Sequence, residues 1–410
     1  MFNLKKFKDK KYIDKKKLFE ILIPVVLAIF VVGGFAISGH ITRNLDADKP
    51  TEPTKEAQTE EQTDPAPVKA KATLVAVGDN VIHNTLIASG QMEDGTEDYT
   101  SFYKEIKNDI SAADIAVIDQ ETILGGEEFE YTGYPVFNTP WAVGDAAIDA
   151  GFDVFLCATN HTMDKGFKGI QNECTYFDNH PEVKHVGSND SEEDYNSIVY
   201  TEANGIKFAI LNYTYGTNGI PLPNDKPWCV NMMDKEKITA DVNKAKGNCD
   251  IIVAFPHWGT ENSTSVSDYQ KDYVKLFSDL GVDIVIGGHP HVLQPIEWVV
   301  NEKSGKKMLV YYSLGNFISH QLNLNQLCGG MAKIEIEKNS DGVTVTSAKL
   351  VPVVSWYQKV NGRWEYSVYK LSDYTDEIAN THAQISMGTT PANFKKYVKE
   401  VIPEEFIEIK

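Results

Sequence analysis

Seven polar residues stand at or just past the ends of strand-forming runs, and their types are those that bind divalent cations. Asp79 follows TLVAVG, Glu121 follows IAVIDQ, and Asn160 and His161 follow VFLCAT. His257 follows IIVAFP, and His289 and His291 follow DIVIGG. Carboxylate, carboxamide oxygen and neutral imidazole form a mixed hard and borderline donor set, which suits Mn, Fe, Zn or a similar ion. Two such ions about 3.5–4 Å apart clamp an oxyanion and activate a water, and a glutamate such as Glu121 can bridge them with its two oxygens. Each residue has a plainer alternative. Asp79 after Gly78 could be a turn residue, Asn160 a helix cap, His161 a core histidine, and His257 a packing partner of Trp258. Two imidazoles flanking Pro290 are harder to assign to packing. Taken together, five runs ending in ligand types favour one metal site.

Such convergence needs an architecture that gathers strand ends. Strands are expected at 73–77, 115–119, 154–158, 207–212, 251–255, 283–286 and 308–312. Helices are expected at 140–150, 167–178, 235–245 and 268–280. Continuous apolar strands imply burial on both faces, and alternation with helices implies an α/β layered fold. In such sheets, ligands sit at the carboxyl ends of strands. After Gly329 the runs AKIEIEK and VTVTSAKLVPVV alternate with period two, as antiparallel strands do. Residues 391–410 read as a terminal helix and tail.

Composition sets the surroundings. The 410 residues are 42% hydrophobic and carry a net charge of -19, which argues against nucleic acid as a partner. Residues 1–20 carry +5 and the remainder -24. Ile21 to Ser38 is an uncharged run of 18 residues, roughly 27 Å long as a helix. It reads as a transmembrane helix with a cytoplasmic basic tail at 1–20, and it places the main domain outside the cell. A cleaved signal peptide ending near Ala36 and Ser38 is the competing reading. Residues 39–71 are expected to be a disordered linker, too poor in large apolar residues to fold. The main domain is expected at 72–354, with a C-terminal extension at 355–410. Five cysteines without a C-x-x-C pair exclude a zinc ribbon.

GDNVIH (78–83), DQET (119–122), ATNHTMDKG (158–166), PHWGTE (256–261), GGHPHVLQ (287–294) and SLGNF (313–317) together resemble the capsule-synthesis CapA family. That family includes the poly-gamma-glutamate synthesis proteins and belongs to the calcineurin-like metallophosphatase superfamily. The resemblance runs from about Thr73 to Val354. It implies a four-layer αββα sandwich with two divalent metal ions. It would make Asp79, Glu121, Asn160, His257, His289 and His291 ligands and His161 the proton donor to a leaving group. His83, four residues after Asp79, is expected to join the ligands. Asp164 and Glu261 would orient imidazoles, and Asn316 would either support the ligands or form a turn. Gln120 departs from the family's Asn-Leu-Glu pattern.

The resemblance further implies a membrane-anchored hydrolase in synthesis, release or export of an anionic surface polymer such as poly-gamma-glutamate. Two alternatives accompany it. One is a non-enzymatic scaffold for membrane polymer-synthase subunits. The other is an extracellular nucleotidase-like phosphoesterase, with Tyr213, Tyr215 and Trp258 as candidates to clamp a base.

Overall fold

In the computed structural model, which describes residues 69–409, the apolar runs become strands of two sheets. The expected basic tail, the membrane helix at 21–38 and nearly all of the linker lie outside the described residues. Among the described residues no helix is long and apolar enough to cross a membrane. The first strands are β1 (Ala70–Asn80), β2 (Ile115–Asp119), β3 (Val154–Leu156) and β4 (Lys184–Val186). The chain then builds a second sheet from β5 (Val199–Ala203), β6 (Ile206–Thr214), β7 (Ile251–His257), β8 (Ile284–Ile286), β9 (Ile296–Val300) and β10 (Lys307–Tyr311). It returns to the first with β11 (Asn316–Ile318), β12 (Cys328–Asn339), β13 (Gly342–Val360) and β14 (Arg363–Lys370).

The first sheet has the order β14-β13-β12-β1-β2-β3-β4, with β11 added against β1. The second has the order β5-β6-β7-β8-β10-β9. Neighbours from β1 to β4, and β6, β7, β8 and β10, run parallel. The molecule is a mixed α/β sandwich of two sheets.

Side-chain alternation divides the second sheet between two apolar clusters. Phe208, Ile210, Val253 and Phe255 join the strands of the first sheet. Ala209, Leu211, Ile252 and Ala254 face the other way.

The helices are α1 (Asn84–Gly90), α2 (Lys107–Ser111), α3 (Trp141–Ala150), α4 (Gly166–Asp178) and α5 (Glu192–Asn196), followed by α6 (Lys235–Ala245), α7 (Asp268–Asp279), α8 (Asp376–Thr381) and α9 (Pro391–Val401). Ile238 and Val242 of α6, with Tyr273, Val274 and Phe277 of α7, cover the outer face of the second sheet. Helix α7 starts where Ser267 and Gln270 form a reciprocal capping box. Replacing Ser267 with Ala removes one half of that box, so the thermal midpoint is expected to fall by the equivalent of about 1 kcal/mol. A calorimetric scan checks this.

The boundaries differ from those expected at both ends. Strand β1 begins at Ala70, inside the expected linker, because Ala70 and Lys71 pair with Lys338 and Glu337 of β12. The expected boundary at 354 falls inside β13. That strand continues through Trp356 and Tyr357 to pair with β14 along its whole length. Val368 of β14, Phe394 and Val398 of α9, and Tyr374 share the main apolar cluster. The segment 355–409 therefore packs on the main domain and shares its core. All five cysteines are free, and Cys157 is a buried core residue at the end of β3.

Candidate metal centre

Parallel pairing decides where the carboxylates emerge. β1 and β2 are neighbours in a register that sets Asp79 beside Asp119, so both acids leave the same edge of the first sheet. β7 of the facing sheet ends on His257, which bridges to Gly288 in the connection after β8. That connection carries His289 and His291. The loop after β3 supplies Asn160 and His161.

The side chains meet. Asp79 Oδ2 lies 2.9 Å from His291 Nδ1, and Asp79 Oδ1 accepts from the His289 backbone N–H at 3.1 Å. Asp119 Oδ2 is 3.1 Å from His257 Nδ1, whose other nitrogen is 2.8 Å from Asn160 Oδ1. Glu121 Oε2 is 3.7 Å from His291 Nδ1, and its Oε1 is 4.0 Å from His161 Nε2. Two sets have ligand atoms all within 4.8 Å of one another: Asp79, Glu121 and His291, and Asp79, Asp119 and His257. Asp79 is common to both, whereas the sequence pointed to Glu121 as the bridging carboxylate.

The electrostatics call for cations. Asp79, Asp119 and Glu121 are all buried, and among the described residues their ion pairs are with imidazoles alone. Both oxygens of Glu121, Oδ1 of Asp119 and Nδ1 of His289 have no hydrogen-bond partner among the described residues. A buried polar atom left unpaired costs about 1–3 kcal/mol, and more when charged. Burial raises the carboxyl of Asp119 and pushes that of Glu121 up to about 7. For Asp79, burial acts upward but the hydrogen bond and charge of His291 prevail, and its pKa is lowered. Burial alone would lower His291, yet the charges of Glu121 and Asp79 raise it to about 10. His257 is raised against its burial, chiefly by Asp119. His289 is lowered by burial and by the neighbouring His257 and His291. Without a cation, protons hold this cluster together. A divalent ion takes over that role when the ligands deprotonate, so the residues present fit a metal.

The backbone is shaped for the same purpose. His289 and His291 adopt φ of 96° and 60°, a region that costs non-glycine residues on the order of 1–3 kcal/mol and clusters at functional sites. At Gly288 a Cβ would stand 2.3 Å from Asp119 Oδ2 and 2.8 Å from Asp79 Oδ1. The missing side chain leaves room between the two carboxylates.

Other residues fall around this centre. His161 is buried, with Nδ1 2.7 Å from Asp164 Oδ2 and its ring set edge-on to Phe137 at 4.6 Å. Asp164 Oδ2 also accepts from the Phe137 backbone N–H. Asn316, beside Asp79 in register on β11, donates to Gln326 O and leaves its own Oδ1 unpartnered.

Two of the expected residues stand apart from the clustered carboxylates. His83 makes no hydrogen bond or ion pair to the carboxylates. β1 runs on to Asn80, so His83 lands at the N-terminal cap of α1, where burial lowers it to about 4. Glu261 is exposed on the loop after β7 and hydrogen-bonds to none of the site imidazoles. Asp119 and Asp164 hold imidazoles instead. Gln120 turns away, accepting from Asn80 Nδ2 and donating to Thr122 O.

Sequence reasoning missed Asp119, Asn218 and Gly288. Asp119 is the last residue of β2, two before Glu121, and its place beside Asp79 is set by the pairing of β1 with β2. Asn218, on the loop after β6, accepts from Asn160 Nδ2 at 3.2 Å, and nothing in its local sequence marks it. Of the three aromatic residues considered for a base clamp, Trp258 and Tyr213 are fully buried. Tyr215 is 39% exposed, with its ring 4.5 Å from that of His289.

The family described as "Bacterial capsule synthesis protein PGA_cap" matches residues 73–321, more than half of the chain. The Capsule biosynthesis protein CapA of Bacillus anthracis is 33% identical over 181 residues, covering 43% of this chain and 42% of that protein. The PGA biosynthesis protein CapA of Bacillus subtilis (strain 168) is 33% identical over 196 residues, covering 47% and 50%. The chain thus spans about half the length of the curated relatives it matches. Among solved structures, the calcineurin-like phosphoesterase YfkN from Bacillus subtilis superposes with a TM-score of 0.41 at 13% identity, over 80% of this chain and 99% of that one.

Proposed function

The chain belongs to the bacterial capsule synthesis protein PGA_cap family, and from that premise we propose that it is a metal-dependent phosphoester hydrolase of capsule biosynthesis. It is anchored in the cell membrane by residues 21–38, with its main domain outside. Its substrate belongs to the synthesis, release or export of an anionic surface polymer such as poly-gamma-glutamate. Its partners are membrane polymer-synthase subunits. The observation that carries the hydrolase reading is the pair of buried, partnerless Glu121 oxygens facing His161 and His291.

Two divalent cations, Mn, Fe or Zn, fit the two ligand sets that share Asp79. Asn160 Oδ1 and His289 Nδ1 stand next to them. Ions there would supply Lewis-acid polarisation of a phosphoryl oxygen and a nucleophile from water at neutral pH. The chain's own residues do the rest. Asp164 holds Nδ1 of His161, so Nε2 faces the cluster and can deliver a proton to the leaving oxygen. Phe137 fixes the ring from the side and keeps water from that edge. The metals also offset the acidic character of the body toward an anionic substrate.

Full-length protein loaded with each metal in turn is assayed on a generic phosphodiester. Turnover that depends on metal, and that falls about 100-fold or more in His161→Ala with metal content unchanged, supports the reading. A wild type that binds metal and polymer-synthase subunits yet turns over nothing overturns it in favour of the scaffold.

A further inference from the structure

We infer that His83 is a hydrogen-bond donor to a tetrahedral oxyanion bound at the metal centre, and not a metal ligand. This rests on the proposed phosphoester chemistry for the identity of the oxyanion, but the tautomer it requires is fixed by the fold. His83 Nδ1 receives the backbone N–H of His320 at 3.2 Å. A backbone N–H can only donate, and among the described residues this one has no other acceptor. Val81 O also lies 3.2 Å from Nδ1, but it already accepts from the His83 backbone N–H. Leaving the His320 N–H unpaired costs more than giving up a second bond to Val81 O. Nδ1 is therefore the acceptor, and the proton sits on Nε2.

That N–H has no partner among the described residues, and the side chain is only part-buried. It stands beside the reaction machinery. One phenyl ring, Phe137, meets His83 edge-on at 5.7 Å and 82° and His161 at 4.6 Å and 79°. The loop bearing Phe137 is tied to the start of α1 by Gly133 N donating to Asn84 Oδ1. The two imidazoles thus pack edge-on against one shared ring. His161 is held at Nδ1 by Asp164 and aims Nε2 at the cluster, while His83 keeps its proton on Nε2. A neutral, pre-positioned donor of this kind stabilises oxygen charge that the metals do not cover.

The test uses full-length protein loaded with Mn2+ and inorganic phosphate as the probe. His83→Ala and His83→Gln are compared with wild type by metal analysis and by phosphate titration calorimetry. Both variants are expected to hold as much metal as wild type. Phosphate affinity is expected to fall about 10-fold in His83→Ala and to recover largely in His83→Gln, whose amide restores an N–H at similar reach. Nitrogen-15 spectra of the metal-free protein are expected to show His83 as the Nε2–H tautomer. Loss of metal in a folded variant, unchanged phosphate affinity in His83→Ala, or an Nδ1–H tautomer each overturns the assignment. If the wild type takes up no metal, the metal-centre reading fails, and the tautomer still decides the role of His83.

Discussion

Metal-free protein reloaded with Mn2+ is expected to melt on the order of 10 °C higher, and the Asp119→Asn variant is expected to show no such rise. A ligand that binds only the folded state stabilises it by about 4 kcal/mol at a thousandfold excess over its dissociation constant. In a domain of this size each kcal/mol moves the midpoint by roughly 2–4 °C. Asp119 matters because its Oδ1 has no partner among the described residues and its Oδ2 is shared with His257. Asparagine keeps the shape but removes the charge that a cation needs. In chelator the order reverses, because the variant no longer buries a third carboxylate beside Asp79 and Glu121, and it should melt no lower than wild type. A residue that only held the fold together would lower the midpoint in both conditions.

The pH dependence carries the same logic. Glu121 has a folded pKa of about 7, above its ordinary 4.5, so the metal-free protein draws stability from its proton. That contribution is complete below about pH 4.5 and is lost as pH rises through 7. His291, raised to about 10 from 6.5, acts in the same direction at higher pH. Metal binding instead grows stronger as these protons leave. The gap in midpoint between loaded and chelated protein should therefore widen from pH 5 to pH 8. A constant or narrowing gap would mean that the protons are not what the cation displaces.

Much of this centre was legible because its ligands obey a local rule: an apolar run, then a polar residue. Asp79, Glu121, Asn160, His257, His289 and His291 all follow it, and helices α3, α4, α6 and α7 lie within a residue of their expected ends. What the rule cannot supply is lateral register. Asp119 lies inside the last position of its strand, and only the pairing of β2 with β1 places it beside Asp79. His83 shows the opposite case. Its spacing from Asp79 invited a ligand role, but that role needed a loop, and β1 instead stays extended to Asn80 before α1 begins. The strand crosses position 354, where the valine-rich alternation gives way to SWYQKV. Aromatic and polar residues carried the same strand onward because β14 was there to pair with it. Asn218 adopts a positive φ of 51° on a loop, and its contact with Asn160 depends wholly on tertiary placement.

Gly288→Ala is expected to abolish metal binding while leaving the fold standing, although it adds a single methyl group. Gly288 does not occupy the left-handed region, unlike His289 and His291 beside it, so alanine meets no backbone penalty there. The obstruction is local. The new Cβ would stand 2.3 Å from Asp119 Oδ2, 2.8 Å from Asp79 Oδ1 and 3.4 Å from His257 Nδ1, which are three donors of one ligand set. Moving them apart breaks the cluster that MnII, FeII or ZnII would join, and leaving them in place puts carbon among the atoms that would hold the ion. A loss of roughly 4 kcal/mol, or about a thousandfold in affinity, is expected. The contrast is with Gly287, where a Cβ would strike Tyr312 O at 2.2 Å and Trp258 Nε1 at 2.4 Å. Both are buried framework atoms, so Gly287→Ala should lower the melting midpoint directly. Metal titration and thermal melts on the two variants separate the cases. A Gly288→Ala protein that still binds Mn2+ at wild-type affinity would show that the cation does not sit between Asp79 and Asp119.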